Sequence, residues 1–249
     1  MARSRELLGR THLSGGQELK LTSEEGHYVL TLDGIPLMSS AAHHSEEHLA
    51  EVGCEGLLAR PDTRVLVGGL GMGYTLRAAL DRTAPTSRVV VAELVPAVIR
   101  WNRGPLADLA DRPLEDPRTQ LEAGDIVRFI KSRPEPFDAI LLDTDNGPDD
   151  FTAKGNAQLY DPQGLARLRD SLRPGGRLVV WSAYQCPAFV HDLRRAGLAP
   201  SVVKAKARGN KGGRHTLYVG QRPDAGATLP AAKPRRPAKE RRRKSGRRR

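Results

Sequence analysis

A chain of 249 residues can bury one sizeable core and carry an appendage besides. No apolar run approaches the roughly 20 residues that a membrane helix needs, and two widely separated cysteines, Cys54 and Cys186, match no disulfide framework, metal or redox spacing. The formal charge of +11 belongs to an end of the chain: eleven Lys or Arg and one acid, Glu240, lie between Lys233 and Arg249, so the preceding 232 residues are near neutral and do not form a basic nucleic-acid-binding body.

Taken in chain order, the first ten or so residues read as mobile. Residues 17–21, 27–32 and 35–38 alternate apolar and polar and are punctuated by Glu24-Glu25-Gly26 and Asp33-Gly34. Asp-Gly between two alternating runs is a strong hairpin signal, because such turns need positive φ. A small β-meander is expected. Ser45 then reads as the N-cap of a helix with acids in its first turn. From residue 64 onward, strand candidates at 64–67, 88–92, 119–122, 139–142, 177–181, 199–204 and 215–219 alternate with helix candidates at 74–80, 96–103, 126–132, 162–172 and 187–196. Short apolar runs separated by helices predict an α/β fold with a mostly parallel seven-stranded sheet covered on both faces. Its last two strands read as a closing antiparallel hairpin. Arg173-Pro174-Gly175-Gly176 reads as a helix stop and turn. Beyond about Pro223 the chain is Pro, Ala, Lys and Arg, and disorder is expected.

The candidate site lies at the carboxyl ends of these strands, where open α/β sheets bind ligands. The first strand runs straight into Gly69-x-Gly71-x-Gly73 and then a helix, which leaves backbone N–H groups facing outward. The second strand ends on Glu93, placed to bind a ribose diol. The third ends on Gly124-Asp125-Ile126, where a carboxylate can accept from an exocyclic amine and Ile126 can pack on an adenine face. The fourth ends on Leu142-Asp143-Thr144-Asp145. A pocket with Glu93, Asp125, Asp143 and Asp145 would repel a pyrophosphate and favour a cation. That selects S-adenosylmethionine or its decarboxylated form, a sulfonium with no phosphate, over a dinucleotide.

These residues resemble a known family. The run Val65-Leu66-Val67-Gly68-Gly69-Leu70-Gly71-Met72-Gly73-Tyr74-Thr75 resembles the glycine motif of the spermidine/spermine synthases, which are aminopropyltransferases on the class I methyltransferase fold. Val91-Ala92-Glu93-Leu94, Gly124-Asp125-Ile126, Phe137 through Asp143, and Leu159-Tyr160-Asp161-Pro162 are similar to its later motifs. The meander and its Glu-bearing helix look like its lid. The resemblance covers about residues 17–219. It implies a Rossmann-like class I methyltransferase fold, aminopropyl transfer from decarboxylated S-adenosylmethionine to a polyamine, and no metal. It implies ribose contact by Glu93, adenine contact by Asp125 and Ile126, and amine handling by Asp143. Acceptor contacts then fall to Asp145, Tyr160 and Glu47. The chain departs from the family in having Gly71 where an aspartate is usual and Ser45-Glu46 where a Tyr-His pair is usual. Asp143 has a chemical reason for its role: an amine with a pKa of about 10 arrives protonated and must give up a proton before it can attack.

The expected organisation is a lid region at 1–59, a catalytic domain at 60–222 and a basic tail at 223–249. A homodimer in the cytoplasm, without a secretory leader, is expected. Two other functions are compatible with the residues: methyl transfer to a small molecule or RNA, and a non-catalytic nucleic-acid-associated protein with a relic pocket. In either, the tail would make nonspecific, salt-dependent polyanion contacts. His43, His44 and His48 read as a solvated helix start, not as a metal site. Trp101 and Trp181 read as packing residues.

Overall fold

The computed structural model describes residues 5–132, 134–144, 157–209 and 211–227. Strands β1 (Arg5–His12), β2 (Glu18–Glu24), β3 (His27–Leu32) and β4 (Ile35–Ser39) form an antiparallel meander in that order. Both of its last two turns have consecutive positive φ values, at Glu25-Gly26 and Asp33-Gly34, the type I′ geometry that suits strand twist. The expectation of a mobile start is corrected: residues from Arg5 pair along β2 as an edge strand. Most of β1 is exposed or half-buried, so it shows little of the apolar alternation that marks a strand. It docks through Gly9, whose backbone lies so close to Trp101 that a β-carbon would collide with the indole.

Helix α1 (His44–Gly53) follows, with Glu46 and Glu47 in its first turn. Ser45 is not its N-cap; His43 holds that position without a side-chain cap, and the Ser45 hydroxyl is turned inward instead. The main sheet comprises β5 (Arg64–Gly68), β6 (Arg88–Glu93), β7 (Thr119–Ala123), β8 (Phe137–Leu142), β9 (Leu172–Ser182), β10 (Ala199–Arg208) and β11 (Lys211–Gln221). Their order is β10-β11-β9-β8-β5-β6-β7, and β11 runs antiparallel to both neighbours. Helices α2 (Tyr74–Asp81), α3 (Pro96–Asn102), α4 (Ile126–Lys131), α5 (Ala157–Tyr160), α6 (Pro162–Asp170) and α7 (Pro187–Arg195) supply the connections. Among the described residues, no helix is long and apolar enough to cross a membrane.

The period-two alternation of the strands builds two cores. Val65, Val67, Val89, Val91 and Leu141 face α1, α2, α3 and the meander, while Leu66, Val90, Ile140, Leu142 and Val180 face α4, α6 and α7. Arg173 to Gly176 falls within β9, where the register against β8 shifts between Phe137 and Ala139; the expected turn is a bulge inside the strand. Asp138 anchors the opposite end of the sheet from the site. It is buried and accepts from Arg60, Arg173 and the Arg64 backbone. The chain leaves β5 toward β6 and β7, then returns to β5's other side as β8. Ligands bind at such a switch point in open α/β sheets.

Candidate active site

At the switch point two strand ends nearly touch. Asp143 N donates to Gly68 O at 2.9 Å, and a β-carbon on Gly69, whose φ is +90°, would collide with the Asp143 carbonyl. Glycine is required there by space and by backbone conformation together. Gly71 at φ +52° lies beneath Met38 of β4. Gly73, also at φ +90°, is the left-handed residue before α2 and packs on Asn102, Ala110 and Pro113, so its part is to turn the chain. Asn102, which carried no sequence signal, fixes the turn from below: buried at 2% exposure, it donates to Gly71 O at 2.9 Å and to Val98 O at 3.0 Å.

A cavity of about 220 Å³ opens above this turn. Its floor is Gly69, Gly71, Glu93, Asp125, Ile126 and Asp143, and its roof is the meander through Leu19, Leu30, Leu32 and Met38. The Glu93 carboxylate is held by the loops it serves: Leu70 N donates to Oε2 at 2.9 Å and Val95 N to Oε1 at 2.7 Å. Burial pushes its pKa up, against those backbone bonds. Asp125 caps α4, accepting from Val127 N at 2.7 Å, and lines the cavity as well. Ile126 is buried beside it.

Where the cavity passes Asp143 it meets a second chamber of about 470 Å³, walled by β4, Trp181, Arg208 and His215. Asp143 borders both spaces and accepts from Thr75 Oγ1 at 2.9 Å. The second carboxylate here is Glu46. Glu47 lines neither cavity: one helical step is about 100°, and that rotation turns Glu47 to His43 at 3.0 Å and His44 at 3.2 Å. Tyr160 stands behind Thr144, its hydroxyl 3.2 Å from Thr144 Oγ1, and is not in either cavity wall. Asp145 lies outside the described residues, as does the tail beyond residue 227. Trp101 packs against the meander, whereas Trp181 faces the outer chamber.

The two carboxylates have no cationic partner among the described residues. Burial pushes Glu46 up to about 7, helped by the Asp143 charge and opposed by a hydrogen bond from Ser45. Burial pushes Asp143 up to about 6, opposed by Thr75. Both groups hold a proton more tightly in the folded state than unfolded. Their stabilising effect is therefore full below the ordinary carboxylate range and is lost as pH rises through 6 and 7. Glu46→Gln is expected to raise the Tm by about 2–4 °C at pH 8 and by much less at pH 5, which scanning calorimetry at the two pH values checks.

No family model matches the chain. A polyamine aminopropyltransferase of Sulfolobus acidocaldarius is 31% identical over 135 residues, covering 54% of this chain and 42% of that protein. Polyamine aminopropyltransferase 1 of Streptomyces coelicolor is 33% identical over 127 residues, 50% of this chain and 23% of that one. These matches span less than half the length of either relative. Among solved structures, spermidine synthase in complex with the transition-state analogue AdoDATO matches with a TM-score of 0.66 at 18% identity, over 87% of this chain and 72% of that chain. That likeness is one of fold: a mostly parallel seven-stranded sheet beside a separate four-stranded antiparallel one.

Proposed function

We propose, from the premise that this chain is kin to the polyamine aminopropyltransferases and carries the spermidine synthase fold, that it transfers an aminopropyl group from decarboxylated S-adenosylmethionine to a polyamine. The observation that carries the reading is the position of Asp143. It stands between an adenosyl-sized cavity and a second chamber, unneutralised, beside Glu46. In this reading the ribose diol binds Glu93, and adenine lies on Ile126 with its amine toward Asp125. The sulfonium then sits over Gly69 and Gly71, in the field of the acids. A phosphate-bearing cofactor would meet the same acids as repulsion. The acceptor enters as an ammonium through the outer chamber and is held by Asp143 and Glu46.

The reaction needs alignment and one deprotonation. The acceptor ammonium loses a proton to the carboxylates. The freed lone pair attacks the carbon next to sulfur, the new C–N bond forms, and the C–S bond breaks with its electrons remaining on a neutral thioether. Residues 1–59 act as the lid and 60–222 as the catalytic domain.

The test is incubation with decarboxylated or intact S-adenosylmethionine and a panel of diamines and triamines, followed by chromatography of the nucleoside product. Methylthioadenosine from the decarboxylated form is the expected product, with a rise in Tm on adding the co-substrate alone. S-Adenosylhomocysteine from the intact form would replace the proposal with methyl transfer. Indifference of the Tm to every adenosyl thioether and sulfonium would end both readings.

A further inference from the structure

Helix α1 and the closing hairpin of the sheet meet in a chain of three side chains, of which the reaction above uses one, Glu46. Ser45 is fully buried, and its Oγ donates to Glu46 Oε2 at 2.6 Å. The same oxygen lies 2.9 Å from Nδ1 of His215, a residue of β11 that is 170 positions later in the chain. Because Ser45 does not cap α1, its hydroxyl is free to link the two. His215 is half-buried, its ring centroid 4.6 Å from that of Trp181, and it borders the outer chamber with Glu46. Among the described residues Asp143 has one side-chain partner, Thr75, which cannot carry a proton away at neutral pH.

Transfer to an ammonium acceptor releases one proton per turnover, and that proton must leave a buried carboxylate pair. We infer that Glu46, Ser45 and His215 form its outlet: the proton taken up by Asp143 reaches Glu46 across the small cleft that the two carboxylates line together, and Ser45 passes it to the imidazole. This rests on the aminopropyl-transfer reading. When Glu46 is protonated the Ser45 hydroxyl turns from it to the unprotonated Nδ1 of His215; Glu46 then donates to Ser45 Oγ while the hydrogen of Ser45 moves to that nitrogen. The carboxylate is restored, the serine is unchanged, and the imidazolium loses a proton to solvent through the chamber. Burial keeps the imidazole pKa below its ordinary value, so the ring is neutral and able to accept near pH 7. The groups facing Glu46 are Asp143, Glu47 on its own helix and Tyr74 of α2. Those around His215 are Ser45, Trp181 and, in the same chamber, Arg208. Ser45 and His215 are thus positioning residues that act through Glu46.

The experiment compares the full chain with Ser45→Ala, His215→Gln and His215→Ala, using decarboxylated S-adenosylmethionine and whichever amine the wild type accepts, from pH 5.5 to 9. Each variant is expected to lower kcat about tenfold at pH 7, less than the roughly 10²–10⁴-fold of a direct acid–base group, with both KM values within about threefold. The rise of kcat with pH should move to higher pH, since the proton must then leave by direct ionisation. Added imidazole should restore part of the kcat of His215→Ala and none of that of Ser45→Ala. Wild-type kcat and pH profile in His215→Gln and Ser45→Ala would overturn the outlet while leaving the transferase reading intact. So would a loss confined to KM or Tm with no change of profile. A wild type that binds the co-substrate but transfers to no amine would overturn both.

Discussion

Asp143→Asn is expected to lower kcat by roughly 10²–10⁴-fold while leaving affinity for methylthioadenosine within a few-fold. The substitution keeps the side-chain volume. Thr75 Oγ1 can still donate to the amide oxygen, and the backbone bond from residue 143 to Gly68 O is untouched, so the walls of the cavity stay in place. In the proposed reaction two properties are lost together: the charge that holds an ammonium beside the sulfonium carbon, and the acceptor for its proton. Glu46 remains, but it lines the outer chamber and not the inner cavity, so in the proposed reaction it does not replace a base that stands between them. The variant should also be more stable above pH 7, because a carboxylate pushed up to about 6 by burial is no longer forced to ionise. Product chromatography, calorimetric titration with methylthioadenosine and a thermal melt at pH 8 read the three effects. A fall in kcat of only two- or threefold would remove Asp143 from the proton step.

The parts of this site that are legible in the residues are those written locally. Gly69, Glu93 and Asp143 each follow a mostly apolar run and Asp125 follows the alternating run at 119–123, and a parallel sheet brings the ends of such runs to one edge whatever lies between them. The glycine turn was equally plain, since only glycine supports φ of +90° against a neighbouring backbone. What escaped depends on distance or on helix phase. Glu46 and Glu47 are adjacent acids with equal claim until the packing of α1 decides which faces inward. His215 meets Ser45 only because β11 inserts antiparallel beside β9 and carries it over α1. Asn102 gives no signal, because a polar residue at a helix end is commonplace; only burial under the Gly71 carbonyl makes it structural. Strand β1 was missed because its charged residues are mostly exposed along an edge, which blunts the alternation used to recognise a strand.

Glu93→Gln is expected to weaken adenosyl binding by about ten- to a hundredfold, the effect of losing a charge-assisted hydrogen bond, and to destabilise the fold. Both carboxylate oxygens accept from backbone N–H groups, of Leu70 and of Val95. An amide has one oxygen, so one of those donors would face an NH₂ group and remain unpaired, costing about 1–3 kcal/mol. The same bonds raise a question that a single variant cannot answer, because Glu93 could serve the ligand directly or only by holding the glycine turn. A double cycle separates the two. If Glu93 binds the diol, a 2′-deoxy nucleoside should lose affinity for the wild type and lose far less for Glu93→Gln, whose contact is already gone. If Glu93 is only scaffolding, the two losses should multiply. Strong coupling in a calorimetric titration of the four combinations is expected here, because the carboxylate lines the cavity at the same time as it closes the turn.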